Sequence, residues 1–228
     1  LGKDIINSAF SYTKNGFVGE WTKWILLIVC AVIQSLTLWI VPLMNGYLVR
    51  VYAGNEKAPE VNEWGKLFID GWKFNITCIL YMIPAIIIGL ILGIFSFFSA
   101  VAGFATAGRF DEILGLLGTV TGIFIIGIVI LILALFMFMG LVRLGKTNRI
   151  SEAFNFSALN KQVQEGTGWL GYIGYFILLW FIAVIFAVVI AILSVVPFLG
   201  LILGFILTPL LTVFFAKYLT NIYDAGGN

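Results

Sequence analysis

The stretch WILLIVCAVIQSLTLWIVPLMNGYLV, residues 24–49, carries no charge and is bounded by Lys23 and Arg50. A helix needs about 20 apolar residues to cross a hydrocarbon core, so this run is long enough for one crossing. It admits two readings. It is a simple span, or it is a broken hairpin that turns near IQSLT (33–37) and leaves on the face where it entered. The hairpin is the costlier local structure, because a bent backbone at membrane depth must be buried within protein.

The rest of the chain repeats the pattern. Charge-free runs extend over 74–108, 113–142 and 166–216, and the last is long enough for two crossings, with SVVPFLG (194–200) as the turn between them. Five hydrophobic segments result, at about 24–49, 75–99, 118–142, 169–194 and 198–219. Of the 228 residues, 61% are hydrophobic and 11% charged, against about 45–50% and about 25% in soluble domains. The expected fold is therefore an all-α, polytopic membrane bundle in one domain. Strand-like alternation is too scarce for a β-barrel. Trp21, Trp24, Trp72 and Trp169 sit near segment ends, as in an interfacial aromatic belt. No signal peptide is expected, since the first apolar run is too long for one and no small-residue cleavage site follows it.

Basic residues set the expected sidedness. With five crossings, Arg50, Lys57, Lys66, Lys73, Arg143, Lys146, Arg149, Lys161 and Lys217 share one side. The positive-inside rule makes that side, with the loops 50–73 and 143–168, cytoplasmic. With a hairpin, every Lys and Arg except Arg109 is cytoplasmic. Both solutions agree on the two large polar loops, and the N-terminal side stays open between them.

Those loops read as amphipathic elbows. In GNEKAPEVNEWGKLFIDGWK (54–73), Trp64, Leu67, Phe68, Gly71 and Trp72 fall at helical spacing, with Glu63, Lys66, Asp70 and Lys73 expected to face water. In the 143–168 loop, Ile150, Ala153 and Phe154 make one short apolar face, with Ser151 as N-cap. Phe156, Leu159 and Val163 make a second, with Ser157 as cap. At the N-terminus, Ile5, Ile6, Ala9 and Phe10 suit a helix lying along the interface. The pair VPLMNGYLVRVYAGN (41–55) and TPLLTVFFAKYLTNIYDAG (208–226) is a short internal echo, each placing a basic residue eight positions after Pro.

The stretches NGYLVRVYAGN, PEVNEWGKLFIDGWK and GKTNRISEAFNFSAL follow in this order between hydrophobic helices. In that arrangement the chain resembles the uncharacterised polytopic membrane family catalogued as domain of unknown function 4013. The resemblance covers nearly the whole chain. It implies an integral membrane protein of a prokaryote, largely archaeal, and it transfers no activity. Similar proteins often interrupt the first segment with Ile-Pro and Asn, where this chain has IQSLT.

Chemistry is sparse. There is no histidine, the commonest catalytic base and metal ligand. Cys30 and Cys78 lie inside apolar runs without CxxC spacing. Save for Lys217 near the end of the last one, no Asp, Glu, Lys or Arg falls inside a hydrophobic segment, which argues against a proton-coupled pump. A net charge of +2 is too small for nucleic-acid binding. The carboxylate pairs Asp111–Glu112 and Glu60–Glu63 read as solvated loop charges, and GKT (145–147) lacks the glycine spacing of a phosphate loop. No cofactor, metal or catalytic residue is expected.

What remains is a polar stripe, Gln34, Thr37 and Asn45, and three small-residue pairs at GxxxG spacing: Gly89–Gly93, Gly118–Gly122 and Gly200–Gly204. The leading expectation is a non-enzymatic membrane component that acts by association, as an accessory or scaffold subunit or a self-assembling one. Its contacts would be membrane lipids and a protein partner or second copy, met through Trp64, Phe68, Asp70, Arg149, Glu152 and Phe154. The alternative is a channel or carrier for a neutral or lipid-like solute, with Gln34 and Asn45 lining the route.

Overall fold

The computed structural model describes residues 2–106, 109–196 and 198–227, and within helices it leaves out the side chains of 94–117 and 119. The described residues are helical and contain no strand: α1 (Gly2–Phe17), α2 (Trp21–Leu36), α3 (Leu43–Tyr52), α4 (Trp64–Thr106), α5 (Arg109–Thr147), a 3-10 turn (Ile150–Phe154), α6 (Phe156–Glu165), α7 (Gly168–Leu193) and α8 (Leu199–Asp224). Among the described residues four stretches are long and apolar enough to cross a membrane, Trp64–Gly93, Val120–Thr147, Gly168–Leu193 and Leu199–Asp224, and the pair α1 and α2, bent by 103° at its break, passes the same test only when taken together. The four stretches match four of the five expected segments. Their outward apolar side chains, such as Leu170, Ile185 and Ile192 on α7, suit contact with lipid, which satisfies them where water would not.

The fifth segment is not one helix. The chain divides at Leu36, and α2 and α3 run antiparallel. At the tip, Gln34 Nε2 donates to Asn45 Oδ1 at 3.1 Å. At the base, Lys23 meets Glu60 at 2.7 Å and Tyr47 Oη donates to the Pro59 carbonyl at 2.9 Å. The simple span is therefore replaced by a hairpin. Its turn lies at 37–42 rather than at 33–37, because α2 keeps its helical bonds through Gln34 and Ser35. Pro42 precedes α3 and Asn45 lies in its first turn, a few residues beyond IQSLT.

Burial of the bent backbone is met by α3. Eight of its ten residues are buried, including Leu43, Tyr47, Leu48 and Val51. Three glycines make this possible. A Cβ on Gly46 would overlap the Leu67 carbonyl, and one on Gly71 would overlap the Pro42 carbonyl. One on Gly145 would collide with Tyr52 and the Val49 carbonyl. Positions 42, 46 and 50, in α3 and just before it, face 71, 67 and 63, in α4 and just before it, in antiparallel register; the last of these contacts is Arg50 with Glu63 at 3.5 Å. The expected GxxxG pairs do not do this work. Gly93 and Gly118 have nothing within 4 Å of a Cβ among the described residues.

Two compact units emerge, one comprising 1–77 and 138–228 and the other 78–137. In the second, α4 and α5 are antiparallel neighbours: a Cβ on Gly89 would lie 3.0 Å from Ile126 Cδ1, and one on Gly122 3.8 Å from Leu92 Cδ1. In the first, α8 is the central post, touching α1, α2, α3 and α7. Helix α1 is amphipathic as expected, but its inner face is Ile5, Ala9, Tyr12, Thr13 and Phe17. Phe10, placed on the apolar face by spacing alone, is 61% exposed. The helix docks on α8, and Asn221 Nδ2 donates to the Ile5 carbonyl at 3.2 Å.

The 143–168 elbow has a 3-10 turn followed by one helix, and its caps differ from those expected. Asn155, not Ser157, accepts the amide of Ala158 and starts α6, while the 3-10 turn has no side-chain cap, so Ser151 plays no such role. Leu159 and Val163 are buried, but Phe156 is exposed. Gln162 Nε2 donates to the carbonyls of Tyr223 and Gly227, tying α6 to the end of α8. In the turn after α7, Phe198 adopts a left-handed conformation and precedes α8. Pro197 lies outside the described residues, as do the side chains of Asp111 and Glu112.

Candidate binding cleft

The chain reverses between α2 and α3 through two successive non-glycine residues with positive φ, Leu38 (48°) and Trp39 (61°). Left-handed backbone costs roughly 1–2 kcal/mol per such residue, so the turn needs support. Local bonds supply part of it. Trp39 N–H donates to the Gln34 carbonyl at 2.9 Å, a six-to-one closure of the helix end. Thr37 Oγ1 donates to the Ile33 carbonyl at 2.8 Å and accepts from the Val41 amide at 3.1 Å.

Longer-range support comes from a relay of amides. Gln34 Oε1 accepts the Asn45 amide at 3.0 Å, so Gln34 satisfies one of the open donors in the first turn of α3. Asn45 Nδ2 donates to Asn75 Oδ1 at 2.7 Å, and Asn75 Nδ2 donates to the Trp39 carbonyl at 3.1 Å. The relay begins on α2, passes through α3 and α4, and ends on the strained turn. Gln34 itself is buried.

Beside this relay lies a cleft of about 490 Å³ between the end of α2, the start of α3, the end of α7 and the first half of α8. Gln34 and Asn45 form its polar corner, and Met44, Ile190, Leu201 and Phe205 supply apolar wall. Pro209 also lines it. Lacking an N–H, Pro209 leaves the Phe205 carbonyl without its helical donor. Trp24 Nε1 donates to the next carbonyl, Ile206, at 3.1 Å. Gly200 and Gly204 line the same space. Gly200 packs on Ser194 in the turn, and a Cβ on Gly204 would only reach Ile190 at 4.0 Å. Ser35, Ser194, Thr208 and Thr212 also line it, so the cleft can hold a molecule with an apolar body and uncharged polar groups. Among the described residues no charged side chain lines it.

The polar stripe is thus divided by the structure. Gln34 and Asn45 meet because the chain folds back, not because they share a helix face, and Thr37 is a turn residue outside the cleft. Asn75 belongs to the set but was missed. Only its place near Asn45, which tertiary folding creates, gives it a role.

The six candidate partner contacts are divided too. Trp64 is 42% and Phe68 39% exposed, and Arg149 is exposed. Asp70 was expected to face water, but it is 4% exposed and pairs with Lys73 at 3.0 Å. It shares a face with Leu67 and Gly71, which pack inward. Lys73 also donates to Asn148 at 2.6 Å. Glu152 accepts from Arg143 Nε at 3.0 Å, and Arg143 donates to Tyr223 Oη at 3.1 Å. The hydrogen bond from Arg143 holds the Glu152 carboxyl below the usual carboxylate range, so it stays ionised within this pair. Phe154 is half-buried. Three of the six are consequently spent within the chain.

A broken, internally buried hairpin among apolar helices defines a multi-pass helical membrane protein. The chain belongs to the family described as protein of unknown function (DUF4013), whose model matches residues 26–195. No curated protein and no solved structure matches it. The three stretches that carry the resemblance each hold one of the close-packing glycines: Gly46, Gly71 and Gly145. They mark where α3, α4 and α5 approach backbone to backbone.

Proposed function

We propose that this protein takes up a neutral, lipid-like molecule in the cleft beside the broken hairpin and acts as a carrier for it. The observation behind this reading is the joining of an apolar cleft of about 490 Å³ to the uncharged corner Gln34–Asn45. Pockets of roughly 300–1,000 Å³ with few convergent polar groups are the usual form of small-molecule sites. The test is labelling with a photoactivatable diacylglycerol in nanodiscs. Gly204→Leu fills the cleft and leaves the amide relay untouched. It is expected to cut labelling about tenfold, equivalent to about 1.4 kcal/mol of affinity, with no fall in melting temperature. Equal labelling of parent and variant would sink the proposal.

Sidedness belongs to the same reading. Lys23–Glu60 closes the hairpin base, Arg143–Glu152 ties α5 to the 143–168 elbow, Lys146–Asp224 at 2.6 Å ties α5 to the end of α8, and Lys217 of α8 donates to the Asn55 carbonyl at 3.1 Å. Twelve of the chain's thirteen Lys and Arg sit on segments at this end, all but Arg109. The positive-inside rule makes it cytoplasmic in a prokaryotic cell membrane. Cysteines placed at Lys14 and Lys57 are expected to label from one and the same side. Labelling from opposite sides would contradict the hairpin topology.

A second reading, an accessory subunit acting by association with a partner or second copy, is favoured by the exposure of Trp64, Phe68 and Arg149 at the polar end. A fixed-stoichiometry partner co-purified from native membrane, lost on Phe68→Ser, would support it.

A further inference from the structure

A second pocket, of about 680 Å³, lies at the polar end between α1, the start of α2 and the 55–60 loop, with Lys217 of α8 on its lining. Two buried polar groups there lack what burial normally requires. The Tyr12 hydroxyl has no hydrogen-bond partner, although Tyr12 is only 7% exposed. Buried phenols ordinarily find one. Lys217 is 8% exposed. Its ammonium has three donors and one acceptor among the described residues, the Asn55 carbonyl at 3.1 Å. It also lies 4.7 Å from the centre of the Tyr12 ring. No carboxylate forms an ion pair with it among the described residues. The Asp224 and Glu56 carboxylates act on it only from beyond ion-pair distance, and a buried cation without a directly bonded anion is unfavourable.

The rest of the lining decides what kind of anion fits. Lys23 is already paired with Glu60. Glu20, Glu56 and Lys57 are exposed at the rim. Taken together, three lysines and three glutamates line the space, so a bare anion would meet rim acids. A molecule that carries its own cation would not. We propose that this pocket binds a small zwitterion, with its phosphate or carboxylate on Lys217 and the Tyr12 hydroxyl and its ammonium at Glu20 and Glu56. The ligand is either a soluble zwitterion or the headgroup of a zwitterionic lipid, since both offer the same chemistry.

The test uses the full chain, first delipidated in maltoside detergent and titrated with phosphoethanolamine and with β-alanine while melting is followed. A saturable rise in melting temperature is expected with at least one probe, and about tenfold weaker action from inorganic phosphate or ethanolamine alone. Tyr12→Phe removes only the unpartnered hydroxyl, so it should fold as the parent does and bind about tenfold more weakly. Lys217→Met should abolish the response. Repeating the titration in phosphatidylethanolamine nanodiscs separates the sources: loss of the response identifies a headgroup as occupant, and retention identifies a soluble ligand. No response to either probe in detergent, or a response unchanged in Tyr12→Phe, would overturn the proposal.

Discussion

Gly46→Ala is expected to destabilise the protein by about 3 kcal/mol, the upper end of what overpacking normally costs. For a chain of this size that is a fall of roughly 6–12 °C in melting temperature. The added methyl would occupy the place of the Leu67 carbonyl oxygen, which is backbone and has no rotamer to give. Helix α3 cannot retreat, because its other faces are held by Gly145 of α5 and by α2 and α8. The controls are Gly93→Ala and Gly118→Ala. A Cβ at either meets nothing within 4 Å among the described residues, and replacing helical Gly by Ala gains roughly 0.5–1 kcal/mol. Those variants should melt at or slightly above the parent temperature. If all three behave alike in detergent melting curves, the close approach of α3 and α4 is not what holds the hairpin.

Asn45→Leu should be the next most damaging change, at about 2–4 kcal/mol. Leucine leaves the Gln34 Nε2 without its acceptor and Asn75 Oδ1 without its donor. An orphaned buried polar group costs about 1–3 kcal/mol, and the Asn75 share is smaller because that residue is half-buried. The freed Asn75 then holds Trp39 less firmly, and the two left-handed residues lose part of their support. Photolabelling of the cleft and melting temperature should fall together in this variant. That separates it from Gly204→Leu, where labelling alone falls. An Asn45→Leu protein that melts and labels as the parent does would remove the amide relay from any account of the turn.

The residues of the cleft were half legible. Gln34 and Asn45 stood out because uncharged polar side chains are rare in a run of this kind. Their partner Asn75 and their opposite walls on α7 and α8 did not, since nothing local marks a residue some 30 to 180 positions away. Asp70 shows the limit most sharply. Helical spacing put it beside Lys66 and Lys73 on a wet face, yet it shares its face with Leu67 and Gly71, and the inward pull of those two decides the orientation. The glycines teach the same lesson. GxxxG spacing selected Gly93 and Gly118, which meet nothing within 4 Å among the described residues, and passed over Gly46, Gly71 and Gly145, each of which singly faces backbone of another segment.

The sequence by itself determined the solvent and the fold class. A chain with so few charges and four long charge-free runs leaves its apolar faces nowhere but lipid, and in lipid only helices and closed barrels satisfy their own backbone. It also determined the register of the polar elbows, where Gly, Pro and charge interrupt the helices. Only the tertiary structure decided whether residues 24–49 cross or turn back. That choice rests on α3 being enclosed by four other helices and on amides from three helices converging on one turn. Both are contacts between distant parts of the chain, and hydrophobicity along a single segment carries no record of them.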